Sequence, residues 1–450
     1  MKLTLILFLF TFTLTGQNIK GTILDKETNK PLAFVNVYFK KEKTGTISNE
    51  KGKFNLKLQS KIKQTDTIRF SLIGYHPKEY TLLKLNEENF IVSLSIKTEN
   101  LSEITVTSKH KLNAQIYFKK LTSLEKGIYS FGSTIIDDKI YLIGGDESFL
   151  EDTTKKIIDE VNSYPNPTLQ DMINESKSNF SWEKYSGKLQ TYNIVNNTWQ
   201  SSNLKFRKRA YHKIIYCNDK LFVLGGKTLS PNRKFEYLDD KIEELNVNTQ
   251  QIIVDNTNPH QAINFTAFAY QDNIIVMGGS VKLKNNGEKI YTDKSHIYNI
   301  TSGYWYELLK MTKPKEVNGL IIDDKVYLIG GFNKFPLKEI ESYDLITKTW
   351  KNEGDLFYGI ENLALTYHKN IIYIFNDSKI LTYNIETKTL HEFRIELNLK
   401  NSEILYYQNH LYILGGFKED DYTKSPSSGL FSIHLNEFAK TKIINSKENY

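Results

Sequence analysis

Apolar residues along most of this chain fall in short runs, set in pairs around a polar turn. Residues 316–350 show the pattern at its clearest. An apolar run at 320–322 meets the turn Asp323-Asp324-Lys325, a second run at 326–329 ends in Gly330-Gly331, and a third run, ESYDL, leads through another turn to Trp350. Four short strands with tight connections predict one antiparallel sheet. The same pattern is written six times between about residue 127 and the C-terminus.

Five copies end their second strand in a glycine pair: Gly144-Gly145, Gly225-Gly226, Gly278-Gly279, Gly330-Gly331 and Gly415-Gly416. A sixth, LALTYHKNIIYIFND, has Asn376-Asp377 there. Gly, Asn and Asp share a tolerance for left-handed backbone, so the exchange points to a turning backbone at that place. Third strands follow at Tyr192, Leu245, Tyr298, Tyr343, Tyr383 and Ile433. Trp199, Trp305 and Trp350 stand seven residues past their tyrosines, while Ile252 and Leu390 take that place in two other copies. The slot therefore asks for apolar bulk rather than for an indole. The final strand of the last copy reads TKII, with the earlier stretch AQIYF as the alternative for closing the set.

The region 17–108 has a different rhythm, of period two. NIKGTILD, LAFVNVYFK, TGTISNEKGKFNLKL, TIRFSLIGYHP and FIVSLSI give about seven strands. Residues 49–52 are read as a hairpin turn, Phe54, Leu56 and Leu58 as inward-facing, and Phe34 as a core residue. That is the size of a small β-sandwich. Ahead of it, MKLTLILFLFTFTLTGQ carries Lys2, an apolar run and then small residues, which reads as a secretory signal over 1–16, too short for a membrane span. Residues 109–126 are a polar linker. Within the first copy, 146–186 is a long insertion with two helical stretches, Thr168 as a candidate cap, and Trp182 and Tyr185 bringing aromatics to one rim.

These strings carry two resemblances. KGTILDKETNKPLAFVNVYFKKEKTGTISNEKGKFNLKL, FSLIGYHPKEY and LSEITVTSK resemble the carboxypeptidase-regulatory-like domain, a transthyretin-like sandwich known in front of TonB-dependent outer-membrane receptors. The six glycine-marked copies resemble the kelch repeat, in which each copy is a four-stranded blade and the blades ring a central channel. Stacking sheets in a circle buries two apolar faces that no single sheet could bury, and leaves no long free edge. The expected fold class is all-β: a small sandwich followed by a six-bladed kelch propeller.

Composition narrows the function. The chain has 13% aromatic residues, and 59 Lys and Arg against 52 Asp and Glu. Only five of the cations are arginine, scattered along the chain, which argues against a nucleic-acid face. Cys217 is the single cysteine, so there is no intramolecular disulfide or Cys-rich zinc site, and in KIIYCND it reads as a core residue. Candidate binding residues lie where chains enter the innermost strands: Arg207, Arg209, His212, Asn264, Glu316, Asn318, Glu361, Asn362 and Glu403, with Trp182 and Tyr185 on the insertion. No catalytic group, metal set or cofactor is expected.

The expectation is an exported, monomeric, non-catalytic binding or scaffold protein of the bacterial envelope, periplasmic or outer-membrane associated. Its partner would be an envelope protein, a peptide or a glycan. One alternative is a kelch-type sugar-processing enzyme such as a sialic-acid epimerase, echoed by Arg207, Arg209, His212 or Glu316. Another is an accessory partner of TonB-dependent transport.

Overall fold

A computed structural model of the chain describes residues 17–96, 112–175, 181–233, 235–283 and 288–449. The stretch 1–16, read above as a secretory signal, and the LSEITVTSK tail lie outside the described residues. Two compact units divide at His110/Lys111.

The first unit is a sandwich. One sheet runs Lys53–Leu58, Gln17–Asp25, Ile91–Leu94; the other runs Thr44–Ile47, Asn36–Phe39, Thr67–Ser71, Lys78–Thr81. Phe54, Leu56 and Leu58 alternate with exposed residues and pack with Ile23, Val37 and Phe70 between the sheets. Residues 49–52 do turn the chain, with Asn49 Oδ1 accepting from the N–H groups of Lys51 and Lys53. The strands on either side belong to opposite sheets, however, so this is a corner and not a hairpin. Phe34 also differs from expectation. It sits at φ 59° with 68% of its surface exposed, because the chain turns left-handed there before Val35 enters the core. The helix Leu82–Glu87, capped by Thr81, has no counterpart in the period-two reading.

Among the described residues the second unit has six sheets of the expected four-strand pattern, called blades 1 to 6 below. Their innermost strands are Gly132–Ile136, Lys213–Cys217, Thr266–Tyr270, Glu316–Ile322, Ala364–His368 and Glu403–Tyr407. Each touches the next in order, and the sixth touches the first, so the sheets form a ring. Between blades lie separate apolar clusters, such as Phe268, Val317 and Leu328 between blades 3 and 4. The tyrosines and tryptophans read from the sequence face each other across the third and fourth strands, with centroids 4.9 Å apart for Tyr298/Trp305 and Tyr343/Trp350. Leu390 faces Tyr383 in the same slot.

At the glycine pairs neighbouring segments come too close for a side chain. A Cβ on Gly331 would lie 2.2 Å from the carbonyl oxygen of Glu316, and Gly331 has φ 104°. In blade 5, Asp377 keeps a left-handed φ of 55°, while Asn376 does not.

Closure comes from ahead of the first blade. Lys119–Lys120, directly after AQIYF, pairs with Leu430–His434 as the fourth strand of blade 6, and Phe118 packs edge-on to Phe431. TKII is not the closing strand: the chain passes through it to Asn445–Glu448, which adds a fifth strand to the outer edge of blade 5. Among the described residues no helix is long and apolar enough to cross a membrane.

The insertion of blade 1 carries the helices Thr153–Asn162, capped by Asp152, and Leu169–Glu175. Thr168 Oγ1 accepts from the Asp171 N–H, as an N-cap does. Its strand Leu150–Glu151 joins Thr423–Pro426 and Phe417–Glu419 of blade 6 in a three-stranded sheet. The insertion is thereby packed onto its neighbour rather than standing off it.

Candidate functional site at the channel mouth

Inner strands all start at one end of the ring, so the residues just before them meet there. Seven residues before each inner turn stand Ser130, Tyr211, Asn264, Glu316, Asn362 and Asn401, one per blade, and all six line a recess at the channel mouth with a cavity volume of about 70 Å³. Four of them are left-handed: Ser130 (φ 49°), Tyr211 (62°), Asn264 (50°) and Asn401 (49°). This conformation turns the carbonyl towards the next blade. The Tyr211 N–H donates to the Ser130 carbonyl at 2.7 Å, and the Val317 N–H to the Asn264 carbonyl at 3.0 Å. Asparagine adopts this backbone readily, whereas a bulky tyrosine there is an outlier. Strain of that kind concentrates at functional sites.

Two residues further in, the blades present Gly132, Lys213, Thr266, Asn318, Ala364 and Glu403. Lys213 Nζ reaches across from blade 2 to donate to Asn318 Oδ1 of blade 4 at 3.3 Å, which shows how narrow the channel is. Asn318 Nδ2 donates to the Leu363 carbonyl. Burial pushes the Glu403 carboxyl up, and the charge of Lys213 partly opposes this.

The mouth therefore gathers seven of the sequence-derived candidates: His212, Asn264, Glu316, Asn318, Glu361, Asn362 and Glu403. They are not equally available. Glu316 is buried and accepts from Ser280 Oγ (2.7 Å) and Lys289 Nζ (2.9 Å). His212 is buried, with Nε2 3.0 Å from the Ile143 carbonyl, and burial together with Arg209 pushes it down to about 3. It is a neutral spacer between blades 1 and 2.

Arg207 and Arg209 are not at the mouth. They precede the left-handed turn at Tyr211, and their side chains run back into blade 2. Arg209 is fully buried, with Nη2 2.6 Å from Glu243, Nε 3.4 Å from Asp239 and Nη1 donating to the Lys241 carbonyl. Arg207 Nε holds Asp239 at 2.9 Å, and its N–H donates to Glu243. The residues proposed to echo a sugar epimerase are thus held in blade 2 or, for Glu316, in a local network.

Trp182 and Tyr185 are also away from the mouth. The Trp182 backbone pairs with Phe149 inside the insertion. Tyr185 is buried, with Oη 2.5 Å from Glu236, and it lines a second recess beside the mouth, with Tyr211 as the wall common to both. Sequence reasoning missed Ser130, Tyr211, Asn401 and Lys213 at the mouth; the constant spacing to the inner turn is the signal that finds them. Among the described residues no group of three or more His, Cys, Asp and Glu is placed to hold a metal ion. Cys217 is buried, with Sγ 3.4 Å from the Gln271 carbonyl.

Comparison with known proteins agrees with this architecture. Residues 19–106 match the family model of the CarboxypepD_reg-like domain, and residues 177–377 that of the KLHDC2/KLHL20/DRC7 Kelch-repeats domain. The chain carries a CarboxypepD_reg-like domain followed by a kelch-repeat domain. The chain is 24% identical over 177 residues to human Kelch repeat and BTB domain-containing protein 12, covering 37% of this chain and 28% of that protein. It is 28% identical over 168 residues to Kelch repeat and BTB domain-containing protein 2 of cowpox virus strain GRI-90 / Grishak, covering 36% and 29%. The chain thus spans less than a third of the length of the curated relatives it matches. The kelch match takes in Tyr211, Asn264, Glu316 and Asn362, four of the six mouth positions.

Proposed function

We propose that this chain is a non-catalytic binding scaffold of the bacterial envelope, exported by its N-terminal apolar stretch, whose kelch ring binds a protein partner on the mouth face. The observation that carries this reading is the mouth itself. One polar side chain from each blade converges there, on backbone strained at Tyr211. A ring of amides and hydroxyls around a narrow channel suits a polypeptide, whose own amides pair with Asn side chains, and the kelch relatives share this repeat. Glu361 and Asn362 stand at the rim, where a partner reaches them without rearrangement.

A peptide array probed with the purified chain tests the proposal. Asn362→Lys and Asn401→Lys should each weaken the strongest peptide by ~10-fold or more, about 1.4 kcal/mol. Lys369→Glu, in the inner turn of blade 5 at the far end of the strand, should change it little. Binding that survives both mouth variants and is lost with Lys369→Glu would move the site to the other face.

A further inference from the structure

The second recess is built by three blades. Tyr129, Asp146 and Tyr185 come from blade 1 and its insertion, Tyr211 and Lys227 from the start and hairpin of blade 2, and Lys424 from the hairpin of blade 6. Its cavity volume is about 120 Å³, room for one side chain and not for a folded segment. We propose that it takes a single acidic side chain of the protein partner, with the carboxylate seated on Lys424. This rests on the reading of the mouth face as the partner-binding face.

The charged residues that line the recess are Asp146, Glu183, Lys227, Glu236 and Lys424. Lys227 Nζ lies 2.7 Å from Glu236, and Glu236 also accepts from Tyr185 Oη. Asp146 is buried and accepts from the Ser148 N–H at 2.8 Å. Glu419, across the hairpin from Lys424, is paired with Lys400 at 2.8 Å. These groups have partners. Lys424 does not: among the described residues its ammonium makes no hydrogen bond and no ion pair, and lies 4.3 Å from the ring centroid of Tyr129 and 4.1 Å from that of Phe417. Aromatic faces hold a cation in place but offer no oxygen to its three N–H donors. Lys424 is in the middle strand of the three-stranded sheet, paired with Leu150 on one side and Glu419 on the other, which fixes the backbone from which its side chain reaches the recess.

The chemistry of the guest follows. One unpaired ammonium asks for one negative charge. Asp146 and Glu236 on the walls, with the exposed Glu183 beside them, disfavour a doubly charged phosphate, so a carboxylate is the better match. Tyrosine rings on three sides suit the methylenes of the arm that carries it. Because Tyr211 walls both recesses, a polypeptide lying on the mouth places a neighbouring side chain here.

Ligand-observed NMR on the full chain, with N-acetylglutamate amide and N-acetylglutamine amide as probes, tests this. The glutamate probe should bind in the millimolar range and the glutamine probe ~10-fold more weakly. Lys424→Met should bring the glutamate probe down to the glutamine level, Lys424→Arg should keep most of the difference, and Asn362→Lys should leave it in place. Equal binding of the two probes, no binding by either, or an unchanged preference in a folded Lys424→Met protein would overturn the proposal. So would tighter binding of galacturonate or inorganic phosphate than of the glutamate probe. Failure here leaves the peptide-array result standing, since that result is read on Asn362 and Asn401; failure of the array with the probe preference intact would instead remove the mouth reading.

Discussion

Arg209 in blade 2 and Lys424 in the hairpin of blade 6 are both cations drawn out of bulk water, and they are treated in opposite ways. Arg209 is enclosed by Glu243, Asp239 and the Lys241 carbonyl, with none of its side chain exposed. Blade 4 repeats that solution, where Lys315, also fully buried, has Nζ 2.5 Å from Glu341. Lys424 faces open space across tyrosine rings with no oxygen partner among the described residues. A caged cation has given its charge and most of its hydrogen-bonding capacity to the fold, although Arg209 Nε, 3.4 Å from Asp239, makes no hydrogen bond, so removing it leaves buried carboxylates stranded. An uncaged one has kept that capacity, and its removal costs the fold little. Burial alone does not separate a structural charge from a binding one; the separation lies in what the charge already touches.

The largest effect should come from breaking the cage. Arg209→Ala leaves Glu243 buried without its guanidinium and Asp239 with Arg207 alone, so the ring should lose about 3–5 kcal/mol. Denaturant unfolding followed by tryptophan fluorescence reports this, since the four tryptophans all lie in the ring unit. Replacing Asp239 and Glu243 with their amides in the same chain should restore a good part of it, because the cost is that of unpaired charge. A loss below ~1 kcal/mol for Arg209→Ala would dissolve the contrast with Lys424.

Next in size is the response to acid. His212 and His260 are buried, with burial pushing them down to about 3 and about 4 from 6.5. His260 is held neutral between the Gly278 carbonyl (2.8 Å) and His296 Nδ1 (2.9 Å). Below about pH 6.5 the unfolded chain takes up protons that the folded ring refuses, so stability falls with pH from there towards 4. Each histidine accounts for a loss on the order of 3 kcal/mol by pH 4. The unfolding midpoint followed from pH 7 to 4 measures the slope, and His260→Gln should remove about half of it. The two histidines also separate the two kinds of site. The charge of Arg209 helps to keep His212 low, so neutralising the whole blade 2 cage should raise the His212 pKa measured by NMR and flatten the acid limb. Lys424 is not among the influences on His212, and its removal should leave that limb unchanged.

What could be read from the sequence follows the same division. Repetition made the ring legible: one pattern of apolar runs, glycine pairs and spaced aromatics forces six like sheets. It put Asn264, Glu316, Asn318, Asn362 and Glu403 near the mouth because each stands at the entrance to an innermost strand. Arg207 and Arg209 misled for a local reason. They stand just ahead of a left-handed residue, Tyr211, and that turn sends their side chains into their own blade instead of the channel. Closure by Lys119–Lys120 was hidden because a two-residue strand of lysines has no apolar signature. The recess was hidden more thoroughly. Tyr129, Tyr185, Lys227 and Lys424 come from stretches that differ from blade to blade, and no spacing relates residue 424 to residue 185. Tyr185 was singled out as an aromatic on a rim, but its pairing with Glu236 depends on how an insertion in one blade meets a hairpin in the next.

The smallest expected effect is the one that isolates Lys424. Lys424→Met removes two cation–π contacts, each worth about 0.5–2 kcal/mol. It also removes an ammonium whose burial is unfavourable enough to push the lysine down. Methionine keeps the length of the stem and suits the sulfur-friendly edges of Tyr129 and Phe417. These changes oppose each other, so the unfolding free energy at neutral pH should move by less than ~1 kcal/mol in either direction. The strand Thr423–Pro426 should stay paired, because its ladder to Leu150–Glu151 and Phe417–Glu419 uses backbone groups that the substitution leaves in place. The comparison with Arg209→Ala then turns on one pair of measurements. If the methionine variant loses as much stability as the alanine variant, Lys424 is a brace between blade 6 and the insertion, and the recess beside it is part of the fold. If it loses little, the ammonium is held by rings that do not need it, with its hydrogen bonds still to be made by whatever enters from the mouth face.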